Sequence, residues 1–132
     1  MKQHMITSLT FQDNNAEQAM NLYVEVFENS RVLDVKRWGA AGAGIEGKIM
    51  QARFELNGNL FMVSDSPAVH KWGFTPAITT FIECESEKEL ERLFSQLSKD
   101  GKVMMEPADY GFSKKFAWFA DKFGVTWQLN LE

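Results

Sequence analysis

The stretch that decides the fold runs from Phe116 to Leu131 and has the sequence FAWFADKFGVTWQLNL. Its two flanks are rich in Phe, Trp and Val, the residue types that β-strands favour. Between the flanks lies Asp121–Lys122–Phe123–Gly124, a predicted tight turn, because Gly124 can adopt the positive φ that such turns often need. We therefore expect a β-hairpin that closes the chain.

A second hairpin is predicted in the first half of the chain. Residues 51 to 56 and 60 to 63 flank Asn57–Gly58–Asn59, and Asn-Gly is a strong signal for a hairpin turn. Each hairpin follows a segment in which apolar residues recur at helical spacing. The first segment has Ala16, Ala19, Met20, Tyr23 and Phe27, and the second has Leu90, Leu93, Phe94 and Leu97. The chain is therefore predicted to contain the order β-α-β-β-β twice.

Further strands and helix caps complete this duplicated pattern. Asn14 or Asn15 is predicted to cap the first helix. Asn14 with Glu17, and Ser86 with Glu89, have the spacing of capping boxes. The third strand alternates, with Met50, Ala52, Phe54 and Leu56 on one face. The other predicted strands cover residues 5–11, 32–38, 60–64 and 77–84 and begin again at 103, whereas 39–47, 65–76 and 106–113 are predicted loops.

Length and composition indicate one compact domain. The chain has 132 residues, and no linker or low-complexity stretch separates its halves. We expect a single domain over residues 1–132, with a first module at about 5–65 and a second at about 77–132.

Charge and cysteine content limit the partners and the compartment. The formal net charge is −4 and the pI is about 5.2, so nothing favours a nucleic-acid partner. No apolar run approaches the roughly 20 residues of a membrane span, and the first residues do not resemble a signal peptide. The one cysteine, Cys84, cannot form an intramolecular disulfide. Together these features predict a cytoplasmic protein with no membrane partner.

Three motifs carry a resemblance that covers almost the whole chain. They are Phe11 to Ala19 continued by Tyr23, Phe27 and Ser30; Phe74 to Cys84; and Asp121 to Gln128, the most specific. They resemble the PhnB-like family of the vicinal-oxygen-chelate (glyoxalase/bleomycin resistance protein/dihydroxybiphenyl dioxygenase) superfamily. The resemblance implies an α+β fold of two βαβββ modules, whose curled mixed sheets surround a cavity, and it implies a homodimer.

Some members of that family carry the label of a 3-demethylubiquinone-9 3-methyltransferase. The sequence has no Gly-rich strand-to-helix turn that would hold S-adenosylmethionine in a doubly wound domain. Gly42 to Gly47 matches G-x-G-x-x-G, but the residues that follow alternate as in a strand, so we interpret the segment as a flexible loop.

Metal-dependent members of the superfamily place one ligand on each of four strands, and most of these ligands are His or Glu. The matching positions in this chain are Ile6, Met62, Ile78 and Gln128. Three of these side chains cannot bind a hard cation, and Gln128 is a weak neutral ligand. We therefore expect neither a metal ion nor another cofactor.

Strand parity predicts which side chains line the cavity. If Gln128 and Ile78 face inward, Thr126, Asn130, Thr80 and Ile82 do so as well. On the first strand, Ile6, Ser8 and Thr10 share the inward face, and Trp38 and Trp72 flank loops at the rim. The face of Arg53 stays open at this stage. The predicted ligand-binding residues are Gln128, Thr80, Ser8, Thr10, Thr126, Trp38 and Trp72.

These residues form a neutral polar and aromatic lining, which suits a small organic molecule. The expected function is a metal-free homodimer that binds such a molecule, as a resistance protein does. The alternative is an enzyme of the superfamily acting on a small metabolite, with Gln128, Thr80 and His70 as its polar groups. His4 and Cys84 are interpreted as a surface histidine and a small buried residue.

Overall fold

The computed structural model describes residues 3 to 132. The chain divides into two compact units, of which the first ends at Gly73 and the second runs from Phe74 to Glu132. In the described range, no helix is long and apolar enough to cross a membrane.

The first unit has the element order β-α-β-β-β. Its sheet has the strand order β1-β4-β3-β2, in which β1 is parallel to β4 and the other pairs are antiparallel. The elements are β1 (Thr7–Phe11), α1 (Ala16–Val26), β2 (Arg31–Arg37), β3 (Ile49–Leu56) and β4 (Asn59–Asp65).

The second unit repeats this arrangement. Its sheet has the order β5-β8-β7-β6, and β5 is parallel to β8. The elements are β5 (Thr80–Glu83), α2 (Glu87–Leu97), β6 (Lys102–Ala108), β7 (Lys115–Ala120) and β8 (Thr126–Leu131). Two mixed four-stranded sheets, each with one helix, confirm the predicted α+β fold. That the units form a single domain, and that the sheets surround a cavity, stay predictions.

Both predicted hairpin turns are present. Asn57 and Gly58 have φ values of 49° and 81°, the positive pair that a two-residue hairpin turn requires. In the second hairpin, Gly124 has a φ of 90° and its backbone N–H donates to the Asp121 carbonyl at 2.9 Å. The Asp121 carboxylate accepts hydrogen bonds from the backbone N–H groups of Phe123 and Val125, which stabilises this turn.

The first helix is capped by a distant residue, so the prediction of an Asn14–Glu17 capping box is wrong. Asn15 is the N-cap residue and makes no side-chain cap bond. Instead, Asp65 at the end of β4 accepts from the backbone N–H of Ala16 at 3.0 Å and from that of Ile49 at 2.8 Å. Asp65 is only 2 % exposed, and it joins the starts of α1 and β3 to the end of β4.

The second helix is capped as predicted. The Ser86 hydroxyl accepts from the backbone N–H of Glu89 at 3.1 Å. Leu90, Leu93 and Leu97 are buried at the spacing of one helix face. On α1 the buried face ends at Val26 rather than at Phe27, because Phe27 is the C-cap residue and has an extended backbone.

Three strand assignments need correction. In β3 a register shift buries Ile49 fully and leaves Met50 40 % exposed, so Met50 does not share the face of Ala52. The fifth strand begins only at Thr80, not at residue 77. The sixth continues to Ala108 through Pro107, which was assigned to a loop. Pro107 lies in β6, an edge strand, where a residue without an N–H is tolerated.

Candidate functional site

Each sheet packs one face on the helix of its own unit, and we call the opposite face its open face. On the second sheet, strand register gives the open face two rows that cross all four strands, and a third row, of Thr126, Ala120 and Lys102, that crosses three. One four-strand row is Phe81, Gln128, Trp118 and Met105, and the other is Glu83, Asn130, Phe116 and Ala108. The helix-side residues Trp127 and Leu129 are almost fully buried.

Two buried polar atoms on the second open face have no hydrogen-bond partner among residues 3 to 132. They are Trp118 Nε1, a donor, and Asn130 Oδ1, an acceptor. Glu83 orients the Asn130 amide, because a carboxylate can only accept, and Asn130 Nδ2 donates to Glu83 Oε2 at 3.4 Å. A buried polar group without a partner costs about 1–3 kcal/mol. The two atoms therefore mark this face as one that gains from a polar ligand.

Aromatic rings extend the second open face beyond the strands. Phe116 contacts Phe81, Tyr110 and Phe112, with ring centroids 6.5, 6.4 and 5.0 Å away. The three outer rings are exposed, Phe112 to 64 % and Phe81 to 48 %. A contiguous group of exposed aromatic rings is typical of a binding surface.

The open face of the first sheet has a different chemistry. One row is Asp34, Arg53, Met62 and Ser8, and the flanking positions carry Lys36, Gln51, Ser64 and Thr10. Phe54 is fully buried on the helix side, so Arg53 lies on the open face. Within the described part of the chain, no ion pair involves Arg53. This face is polar and charged rather than aromatic.

The structure places several predicted ligand-binding residues on these faces. Gln128 lies between Phe81 and Trp118 on the second open face and is half-buried. Ser8 and Thr10 lie on the first open face beside Met62 and Ser64. Thr126 shares the face of Gln128, but it is buried and its hydroxyl donates to the Ile78 carbonyl at 2.9 Å. The hydroxyl proton of Thr126 is therefore already engaged.

The predicted face of Thr80 is wrong. Thr80 is paired in register with Trp127, and Ile82 with Leu129, so both lie on the helix side of the sheet. Phe81 and Glu83 take the places beside Gln128 and Asn130. The parity was counted from Ile78, which lies before the strand, and irregular backbone between residues 78 and 80 does not preserve alternation.

Trp38 has a structural role in the first unit. Its Nε1 donates to the Asp65 carbonyl at 3.1 Å. An added Cβ at Gly44 would overlap the Trp38 indole ring, and one at Gly42 would lie 2.9 Å from it. The Gly/Ala segment is therefore a loop packed on Trp38 rather than a plain flexible loop, and Gly42 and Gly44 are needed for that close approach.

Trp72 belongs to an ordered loop with His70. The two rings stack with centroids 4.4 Å apart and an interplanar angle of 8°, and Trp72 is 56 % exposed. Gln12, which follows β1, holds both residues: its Nε2 donates to the Trp72 carbonyl at 2.6 Å, and its Oε1 accepts from the His70 backbone N–H. Ser66 Oγ lies 3.1 Å from His70 Nε2. The sequence interpretation had found no such hydroxyl–imidazole pair.

The four positions at which the superfamily holds a metal do not form a suitable ligand set. Met62 and Gln128 lie on open faces, whereas Ile6 and Ile78 lie outside the strands. Correcting the parity of β5 adds Phe81 and Glu83 to the second open face, but no histidine. In residues 3 to 132, no group of three or more His, Cys, Asp or Glu side chains could hold a metal ion.

Cys84 has the environment of an unreactive thiol. It is buried, and its backbone N–H donates to the Asn130 carbonyl at 2.7 Å. Burial raises the pKa of the Cys84 thiol to about 11. The thiol is therefore protonated at neutral pH and is a poor nucleophile.

Sequence reasoning missed most of the second open face. Parity alone did not distinguish Trp118 from Phe119, and Phe81, Glu83 and Phe116 were not considered. Matched distances from the predicted turn do not supply the pairing of Trp118 either: counting outward from Asp121–Gly124 pairs Trp118 with Trp127, whereas the loop includes Val125 and Trp118 pairs with Gln128.

The fold defines the class of protein, an α+β protein of two βαβββ units. Comparison with known proteins gives the family. The family model described as 3-demethylubiquinone-9 3-methyltransferase matches residues 3–130. The chain belongs to this family, which confirms the resemblance to the PhnB-like family seen in the sequence.

Solved structures agree with this assignment. A PhnB protein of Bacillus cereus is 42 % identical, with a TM-score of 0.94 over 98 % of this chain and 100 % of that one. A Pseudomonas aeruginosa protein is 27 % identical, with a TM-score of 0.85 over 99 % and 98 % of the two chains. A glyoxalase/bleomycin resistance protein/dioxygenase domain from Frankia is 16 % identical, with a TM-score of 0.66 over 99 % and 98 %, and shows the fold alone.

A curated relative is matched over a shorter span. Protein YjdN of Escherichia coli is 28 % identical over 83 residues, which are 63 % of this chain and 56 % of that protein. The match therefore spans little more than half the length of that relative.

Proposed function

We propose that the chain is a metal-free homodimer in the cytoplasm that binds a small organic molecule on the second open face. The observation that supports this proposal is the pair of unpartnered buried atoms, Trp118 Nε1 and Asn130 Oδ1. Asn130 lies on β8, the strand that carries Gln128, and Trp118 lies on the neighbouring strand β7. A ligand that accepts from Trp118 and donates to Asn130 would remove both desolvation costs.

Gln128 is suited to the centre of such a site. Its amide can both donate and accept, and its neighbours across the sheet are the rings of Phe81 and Trp118. Small-molecule sites typically contain a small number of polar groups among aromatic side chains. The poor donor set at Met62 and Gln128 supports binding without a metal ion, and the acidic composition with one cysteine supports a cytoplasmic location.

The methyl transfer named in the family description is not part of the proposal. The Gly42 to Gly47 segment leads into β3, whereas a phosphate-binding glycine turn leads into a helix N-terminus. The packing of Gly42 and Gly44 on Trp38 gives these glycines a structural role instead.

The test combines native mass spectrometry with a ligand screen. We expect a dimer mass without stoichiometric metal, and saturable binding of at least one compound from a metabolite and antibiotic library. Gln128→Ala should then weaken binding about tenfold, the loss expected for one hydrogen-bonding side chain. Arg53→Gln, beside Met62, the residue at the corresponding place on the first sheet, should leave the affinity unchanged.

Two results would contradict the proposal. One is the absence of saturable binding across the library, and the other is a bound ligand whose affinity does not respond to Gln128→Ala. A metal ion at one per subunit would contradict the metal-free part and would make metal-dependent catalysis the leading function.

One contact favours the alternative of an enzyme acting on a small metabolite. Ser66 Oγ and His70 Nε2 are 3.1 Å apart, and stacking on Trp72 holds the imidazole. Because Ser66 Oγ donates its one proton to the Ala68 carbonyl at 2.6 Å, the imidazole Nε2–H is the donor of the pair, as a general acid would be. If a turnover is found, His70→Ala should lower kcat at least a hundredfold. A turnover that survives in the His70→Ala variant would remove this pair from the mechanism.

A further inference from the structure

The second open face carries one carboxylate beside its aromatic rings. Glu83 lies in the row of Asn130 and Phe116, two residues from Phe81 on the same strand and face. Asn130 Nδ2 donates to its Oε2. In the described range, no lysine, arginine or histidine nitrogen lies within 4.0 Å of the Glu83 carboxylate. This carboxylate is therefore oriented but not neutralised.

Three exposed rings, those of Phe81, Tyr110 and Phe112, stand around the buried ring of Phe116, which lies in the row of Glu83. Phe112 and Tyr110 meet Phe116 nearly edge-on, at 71° and 85°, so the rings around Phe116 point in different directions. Phe81 stands 6.5 Å from Phe116 at 34°. Aromatic faces attract cations through their quadrupole, and rings at several angles beside a carboxylate are the usual way to bind a quaternary ammonium group.

The distribution of charge favours a cation over an anion. From Phe74 to Glu132 the chain has seven basic and ten acidic residues, against seven and eight before that point. On the second open face, the rows of Glu83 and of Gln128 contain no basic side chain, and Lys102 lies at the far end of the face, in the row of Ala120 and Thr126. An anionic group in the row of Glu83 would therefore meet a carboxylate and no cation.

We propose that the ligand of the second open face is a small organic cation, a quaternary ammonium or protonated amine. Its charged group lies against the exposed ring of Phe81, with Glu83 as counter-ion. A polar atom elsewhere in the ligand accepts from Trp118 Nε1. The inference rests on the proposed function, whose site it shares, and adds the charge of the ligand.

The test uses a matched pair of probes that differ in charge. Choline and 3,3-dimethylbutan-1-ol have the same shape, but only choline is charged. In an NMR titration of the full chain, we expect choline to shift the amide signals of Phe81, Glu83 and Phe116, and to bind about tenfold more tightly than the alcohol. Glu83→Gln should abolish that preference. Glu85→Gln removes the same charge two residues further on and should preserve it.

The outcomes separate this inference from the proposed function. Equal binding of the two probes on this face would leave a binding site there and overturn the cationic ligand. Absence of choline-induced shifts, while a library compound shifts Gln128 and Trp118, would overturn the cation alone. Failure of every compound to bind would overturn both. A preference for choline that survives Glu83→Gln would also overturn the inference, because the counter-ion would then lie elsewhere.

Discussion

The two open faces stand at corresponding places in a repeated fold and carry opposite chemistry. Met62 and Gln128 each lie four residues after a hairpin glycine. Beside Met62 the first sheet has Arg53 and Ser8, whereas beside Gln128 the second sheet has Trp118 and Phe81. The two sheets have corresponding strand orders, so the chemical difference between their open faces arises from the side chains alone. A duplicated module can thus keep its fold in both halves while the side chains of its open faces differ.

Each unit is also stabilised by one buried carboxylate, but the two carboxylates connect different parts of the chain. In the first, Asp65 connects elements distant in sequence, α1, β3 and β4. In the second, Asp121 acts within one hairpin, where it accepts from the backbone of Phe123 and Val125 and from Trp127 Nε1 at 3.0 Å. Both carboxylates are 2 % exposed. The predictions below begin with these two residues.

The largest effect is expected from removing either buried carboxylate. Asp65→Ala and Asp121→Ala should each lower the free energy of unfolding by about 3 kcal/mol, because at least two buried N–H donors lose their acceptor. Chemical denaturation measures the loss. Asp34→Ala, on the exposed strand β2, is the control and should change stability by less than about 0.5 kcal/mol. A loss below about 1 kcal/mol at Asp65 would show that α1 does not depend on this cap.

Glycine substitutions should show the next largest effect. An added Cβ at Gly101 would overlap the Ala120 carbonyl, which is backbone and cannot move aside, while one at Gly44 would overlap the Trp38 ring. We expect a loss of about 2–3 kcal/mol for Gly101→Ala and about 1–2 kcal/mol for Gly44→Ala. Gly39→Ala meets nothing within 4 Å and serves as the control. Equal stability of the Gly39→Ala and Gly44→Ala variants would contradict the packed state of the loop.

Trp118→Phe is expected to separate binding from stability. The change keeps an aromatic ring and removes Nε1, a buried donor without a partner in residues 3 to 132. Affinity for the ligand found in the screen should fall about tenfold, while the free energy of unfolding should change by less than about 1 kcal/mol. Calorimetric titration and denaturation measure the two effects. Unchanged affinity would remove the indole N–H from the site.

The smallest effects are expected at the surface ion pairs. Arg37 binds both carboxylate oxygens of Glu17, and Lys115 reaches Glu87 and Glu91 at 2.7 Å each. The hydrogen bond from Arg37 lowers the pKa of Glu17 below its ordinary value of 4.5. A lowered pKa stabilises the folded state above about pH 4.5, and the contribution is lost as pH falls through the folded-state pKa.

Thermal unfolding of Glu17→Gln should follow this sign. The Tm of the variant should lie slightly below that of the wild type at pH 7 and match it at low pH, since exposed ion pairs contribute little. Lys115 has the opposite sign: hydrogen bonds from its ammonium to Glu87 and Glu91 raise the pKa of Lys115 above 10.5, so its contribution is lost only at higher pH. A Tm difference for Glu17→Gln that grows on acidification would contradict the assignment.

Local signals explain which parts of the fold could be predicted. The turns at Asn57–Gly58 and Asp121–Gly124 and the cap at Ser86 depend on residues within a few positions of one another, and all three are present. The cap of α1 could not be found in this way, because its acceptor, Asp65, is 49 residues from Ala16. Asn14 had the right spacing, but a carboxylate brought in by β4 replaced it.

The residues of the candidate site likewise divide into those that local sequence patterns could place and those that they could not. Gln128 could be placed on the open face by counting from Gly124, since a hairpin fixes its own register. Thr80 could not be placed in this way. Its strand, β5, pairs with β8 across a long connection, and the residue at which β5 begins decides which of its side chains lie on the open face. The sequence by itself therefore determined the duplicated α+β fold, the family and the hairpins, which rest on local patterns. Only the tertiary structure decided that Glu83, Phe81, Phe116 and Trp118 share one face, because register between distant strands is set by packing.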